Sequence, residues 1–193
     1  MHPYQARLFI AIPVPNPYRS ILSAWAEVIK EKWNFKRWLH PADYHITLKF
    51  LGECDFTTAN QVKKHLKEIS DRQHSFTLRI EGLGTFDNRE NTKILWAGVD
   101  GDLIRLHQLQ QEVDQAMETL HFEPEKQRYR PHVTLARNYV NGILTAHELE
   151  KAPTLKENLI AWEAKEIVLY QTHLGQSPSY QPIAIYPFPD RRP

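Results

Sequence analysis

The chain has 193 residues, 41% of them hydrophobic, and a formal net charge of +1. That composition can fill a sizeable core, which excludes global disorder, and the near-zero charge excludes a uniformly basic coat while leaving room for a local basic patch. The length is slightly long for one compact domain and short for two.

Arg7–Pro13 (RLFIAIP) has the β-rich composition of a strand and stops at proline. The apolar run here is about six residues, short of the ~7–15 of a signal peptide, so no signal peptide is expected. No later run approaches the ~18 residues of a membrane span, so a soluble protein with no membrane partner is expected. Tyr18–Lys32 carries Ile21, Leu22, Trp25, Val28 and Ile29 at helical spacing. His45–Leu51 alternates and ends at Gly52, a strand. Thr57–Ser70 reads as a helix, with Asp55 or Thr57 as its N-cap. Ser75–Gly82 and Lys93–Val99 read as strands, and Asp102–Leu120 as the longest helix. The second half echoes the first. His132–Ala136 is a strand, Ala146–Leu159 one or two short helices broken at Pro153, and Ala164–Gln171 and Gln181–Phe188 closing strands. Mixed elements with hairpin-like strand pairs predict an α+β fold with antiparallel sheet.

The sequence HITL at 45–48 returns as HVTL at 132–135, after 87 residues. Composition alone predicts only about 0.02 occurrences of such a pattern in a chain like this. Alternation in a strand puts His45 and Thr47 on one face and Ile46 and Leu48 on the other, and likewise His132 and Thr134 against Val133 and Leu135. Each strand buries two aliphatics and presents an imidazole with a hydroxyl.

Two imidazoles can work in opposite protonation states, one taking a proton from a nucleophile and one giving a proton to a leaving group. A threonine hydroxyl on the same face can donate to an oxyanion. The set suits a phosphodiester. Metal ligation is the competing use of two histidines, but no HExxH occurs and neither motif carries an acid at ligand spacing. Cys54 is the one cysteine, which excludes a disulfide framework or a cysteine-based zinc site within the chain and fits a reducing cytoplasm. No metal and no cofactor is expected.

The second motif sits in KQRYRPHVTLAR (126–137), which holds Lys126, Arg128, Arg130 and Arg137 and no acid. Arginine forks suit phosphate. Arg130 shares His132's strand parity. Arg137, five positions on, falls on the opposite face of a regular strand and reaches the site only if the strand bends or ends. Trp38 and Phe50 flank the first motif and could stack a base, although core packing is the commoner fate of such rings. Tyr129 and Tyr170 are weaker candidates for the same role. The remaining histidines, His173 among them, have no patterned partner and read as surface or local structural residues.

RWLHPADYHITLKFLGE (37–53) and RPHVTLAR (130–137) resemble the signatures of the 2H phosphoesterase superfamily, and within it those of the RNA 2′,3′-cyclic phosphodiesterases, also called the 2′-5′ RNA ligase family. RLFIAIP and EIVLYQTHLG…Y extend the resemblance over nearly the whole chain. Gln171–Thr172 departs from a stretch that often carries serine. The resemblance implies a single bilobed α+β domain over 1–193, each lobe giving one His–x–Thr strand to a central cleft. It implies metal-free hydrolysis of RNA 2′,3′-cyclic phosphate ends to 2′-phosphates, with 2′-5′ ligation in some members. His45, Thr47, His132 and Thr134 match the family's catalytic positions; analogy favours His132 as base and His45 as acid, and the reverse assignment stays open. Arg137 matches a phosphate-binding position. The partners implied are RNA ends or small cyclic nucleotides, and a monomer is expected. Two other readings stand beside this one. The first is a non-catalytic RNA-end or nucleotide-binding module. The second is the same chemistry on a cyclic ADP-ribose phosphate or a 2′-5′ oligonucleotide.

Overall fold

The computed structural model describes residues 5–155 and 160–190. Among these residues nine strands and four helices follow one another as β1 (Gln5–Pro13), α1 (Asn16–Lys30), β2 (Phe35–Trp38), β3 (His45–Asp55), α2 (Phe56–Ser70), β4 (Phe76–Asp87), β5 (Thr92–Gly101), α3 (Leu103–Glu118), β6 (His132–Tyr139), α4 (Ala146–Glu150), β7 (Ala161–Ala164), β8 (Glu166–Thr172) and β9 (Tyr180–Pro187). A short 3-10 turn, Pro41–Asp43, precedes β3.

All the strands join one sheet in the order β7-β4-β5-β6-β3-β1-β8-β9, with β2 added on β6, and every pairing is antiparallel. The α+β class and the two lobes expected from the sequence are therefore present. The lobes are not the two halves of the chain: the C-terminal strands β8 and β9 build onto β1 and β3. The seam between lobes is the β3–β6 pairing, recorded at Ile46 and Val133.

The helices form where the 3.6-residue pattern predicts. Leu22, Trp25, Ala26 and Ile29 of α1 are buried, as are Val62, Leu66 and Ile69 of α2 and Leu106, Leu109, Val113 and Met117 of α3. Asp55 caps α2, its carboxylate accepting from Thr58 N at 2.7 Å, a contact of about 1 kcal/mol. Thr145 and Glu148 close a reciprocal capping box on α4. The core takes one face of β1 (Leu8, Ile10, Ile12), leaving Arg7, Phe9 and Ala11 on the other.

Three elements differ from the sequence expectation. Phe35–Trp38 is a strand of four residues, too short to show a period. The expected strand Ala164–Gln171 forms as β8 on β1, but Ala164 belongs to a separate strand, β7, which pairs with β4, the break falling at Lys165. The expected helical region 146–159 holds only α4, and its last four positions lie outside the described residues.

Candidate active site

Ile46 and Val133 occupy the same place in the two motifs, and they face each other across the seam. Antiparallel register then sets His45 across from Thr134 and Thr47 across from His132. Both aliphatics are fully buried, so the four polar side chains share the opposite face of the sheet.

The two histidines are held alike. His45 Nδ1 lies 2.6 Å from the Asp43 carbonyl oxygen and His132 Nδ1 2.7 Å from that of Arg130, each two residues upstream. A carbonyl only accepts, so both Nδ1 atoms carry the hydrogen and Nε2 is the nitrogen left for chemistry. His45 Nε2 accepts from the Thr47 hydroxyl at 3.1 Å.

Their surroundings differ in degree. Phe9 lies 4.8 Å from His45 between ring centroids, Tyr180 stands edge-on at 5.2 Å, and Tyr170 stacks on Phe9. Burial in this aromatic box lowers the His45 pKa to about 4, and the charges of His132 and Arg137 press the same way. Phe86 stands edge-on to His132 at 4.9 Å, with Trp96 beyond it. His132 is also pushed down, first by burial and then by Arg137, but it is the more open ring.

Arg137 thus acts on both imidazoles, although strict alternation would turn it away. The register with β5 supplies the reason: Leu95 pairs with Ala136 and Trp96 with Thr134, leaving Leu135 as an extra residue. This bulge buries Leu135 and Ala136 consecutively and returns Arg137 to the histidine face. A second bulge, at Leu48, does the same in β3. Ala11 pairs with Thr47 and Ile10 with Lys49, so Lys49 turns into the core and Phe50 turns out, 67% exposed.

Lys49 ion-pairs there with Asp114 of α3 and donates to the Glu123 carbonyl at 2.5 Å. Tyr129 donates to the Thr47 carbonyl at 2.9 Å, and burial raises its phenol's pKa. These contacts pin the segment before β6 over the site. A cavity of about 470 Å³ lies beneath it, lined by Thr47, Phe50, Phe86, Arg128, Arg130 and His132 among others. Arg130 is exposed on its wall. Trp38 is half-buried, packed on the core and edge-on to Phe35, so its ring is a packing element and not an open platform.

Asp43 was not legible as a site residue. Its buried carboxylate accepts from Ser179 N at 2.8 Å and Tyr180 N at 3.0 Å, tying β9 to the turn whose carbonyl holds His45. The signal lay in its place two residues before the histidine. Phe9 could have been found from alternation in RLFIAIP. Among the described residues, no three His, Cys, Asp or Glu side chains group closely enough to hold a metal ion. No helix there is long and apolar enough to cross a membrane.

Two imidazoles, two hydroxyls and a guanidinium gathered at one seam are chemically suited to a tetrahedral anion. The family described as LigT like Phosphoesterase matches residues 12–96 and 101–180, so the chain belongs to that family, within the 2H phosphoesterase superfamily. It is 30% identical over 178 residues to the RNA 2′,3′-cyclic phosphodiesterase of Bacillus subtilis, covering 91% of this chain and 92% of that protein. It is 29% identical over 191 residues to the protein of the same name from Geobacillus stearothermophilus, covering 97% of this chain but only 60% of that longer protein. The fold is shared with E. coli LigT solved with 3′-AMP (TM-score 0.78, 21% identity, 96% of this chain and 99% of that one). It is also shared with the protein TT0787 of Thermus thermophilus (TM-score 0.76, 20% identity, 96% of this chain and 100% of that one).

Proposed function

We propose that this phosphoesterase hydrolyses RNA 2′,3′-cyclic phosphate ends to 2′-phosphates without a metal. The observation that carries the reading is the Ile46–Val133 pairing, which brings two His–Thr pairs to one cleft in the field of Arg137. The names of the Bacillus and Geobacillus relatives support the substrate. The buried free thiol of Cys54 suits a reducing cytoplasm.

Water reaches phosphorus from the open side, where His132 lines the cavity. His132 Nε2 takes the water proton as its oxygen bonds to phosphorus. The bond from phosphorus to the 3′-oxygen breaks, and His45 Nε2 gives that oxygen a proton. Thr47 and Thr134 donate to the non-bridging oxygens, Arg137 balances their charge, and Phe50 offers its open face to a base. Burial disfavours charge on both imidazoles in the empty cleft, so His45 takes up its proton with the phosphate anion, which replaces the missing counter-charge. With a 5′-hydroxyl in place of water, its oxygen bonds to phosphorus as the bond to the 3′-oxygen breaks, and the same groups serve 2′-5′ ligation.

The test is turnover of uridine 2′,3′-cyclic phosphate, cyclic-phosphate-ended RNA and an ADP-ribose cyclic phosphate, with and without EDTA and with product isomers identified. A 2′-phosphate product in EDTA is expected. Loss of activity in chelator, restored by a divalent metal, sinks the metal-free mechanism. Tight binding without product makes the chain a binding module.

A further inference from the structure

A second cavity, of about 460 Å³, lies on the other side of Phe50, which lines both. Arg7 of β1, Arg37 of β2 and Arg137 of β6 converge on it, together with His173 from the segment between β8 and β9. Among the described residues no carboxylate lines it. Among those residues, too, none of the three guanidiniums makes an ion pair. Arg37 donates to Ser179 Oγ at 2.5 Å instead. Glu53, the register partner of Arg7, is exposed and forms no ion pair with it. Three like charges gathered around one hollow repel each other, and an anion relieves that repulsion.

The cavity is not built for a bare ion. Phe50 and Leu174, 67% and 75% exposed, give it apolar walls beside the arginines. Its occupant therefore carries a phosphate on an organic body. Arg137 belongs to both places, since it lines this cavity while its charge acts on His45 and His132. The two anions are thus neighbours, at the separation of one shared side chain.

We propose that this cavity binds a second phosphate of the same substrate: the phosphate on the 5′ side of the nucleotide whose cyclic phosphate reacts. This rests on the reading above for which end reacts. It defines the substrate class as RNA ends or 5′-phosphorylated cyclic nucleotides in preference to cyclic phosphates of bare nucleosides. Arg7 and Arg37 supply the paired donors that an internucleotide phosphate accepts.

The experiment compares kcat/KM for uridine 2′,3′-cyclic phosphate with that for its 5′-phosphorylated form, in the wild type and in Arg7→Gln. In parallel, calorimetric titration compares uridine 2′-monophosphate with uridine 2′,5′-bisphosphate. The 5′-phosphate is expected to raise kcat/KM and affinity by about tenfold, and Arg7→Gln to cut that preference by about threefold or more. Equal kcat/KM and equal affinity for the paired compounds overturn the second phosphate site and leave the hydrolysis reading standing. Tighter bisphosphate binding that depends on Arg7, without turnover of either cyclic phosphate, upholds the site and sinks the hydrolysis reading.

Discussion

Ile46 and Val133, the second residues of two motifs 87 positions apart, are cross-strand partners at the seam of the sheet. The pairing gives the site a local two-fold arrangement in which each histidine stands opposite the other motif's threonine. The likeness extends to the ring hydrogen bonds, since both Nδ1 atoms are held by the carbonyl two residues upstream. The symmetry is broken by packing: His45 sits in an aromatic box and His132 beside an open cavity.

Replacing either histidine should therefore cripple the reaction. His45→Ala and His132→Ala are each expected to lower turnover of a 2′,3′-cyclic phosphate by about 10²–10⁴. Their pH profiles should lose opposite limbs, the alkaline one with His45 and the acidic one with His132. A single mutant with near-normal rates removes that histidine from the mechanism.

His45 should titrate abnormally. With the cleft empty its ring stays neutral down to a pKa of about 4, and a bound phosphate should raise that value. Imidazole NMR shifts followed against pH, with and without inorganic phosphate, check this. A pKa that stays put on phosphate binding removes His45 as the general acid.

The same burial makes folding sensitive to acid. The unfolded chain's histidine takes up a proton near pH 6.5, while folded His45 resists until about 4. Stability contributed by the neutral ring is thus full above pH 6.5 and is lost as pH falls towards 4, by about 3 kcal/mol in all. Urea unfolding at pH 7 and pH 4.5 should show the drop, and His45→Asn should flatten it.

Lys49→Met should loosen the segment over the cleft. It leaves Asp114 without its partner and Glu123's carbonyl without its donor, a loss of about 3 kcal/mol. Chemical denaturation measures the loss, and KM for the cyclic phosphate should rise as Tyr129 and Arg130 lose their support. An unchanged KM separates the ion pair from the site.

Asp43→Asn should act through His45. An amide in place of the carboxylate cannot accept the Ser179 and Tyr180 N–H groups through both oxygens, which costs about 1–3 kcal/mol. The turn that presents the Asp43 carbonyl then shifts, and kcat should fall more than KM changes. The ring's Nδ1–H NMR resonance reports whether the carbonyl still holds it.

Sequence by itself determined what is local. Period-two alternation fixed that His45 travels with Thr47 and His132 with Thr134, and the apolar stripes fixed three long helices to within a few residues. Turn and strand chemistry was enough for an antiparallel α+β fold. The tertiary structure alone decided which strands meet and where alternation breaks. Bulges at Leu48 and Leu135 arise because β3 and β6 must match neighbours on both sides, and they turn Lys49 inward and bring Phe50 and Arg137 to the cleft. No count along one strand foresees them, because the extra residue is defined only against its partner. Asp43 and Phe9 reach His45, and Arg7 and His173 the second cavity, for the same reason. Their neighbours there come from strands and turns far along the chain, gathered by the burial of the opposite face of the sheet.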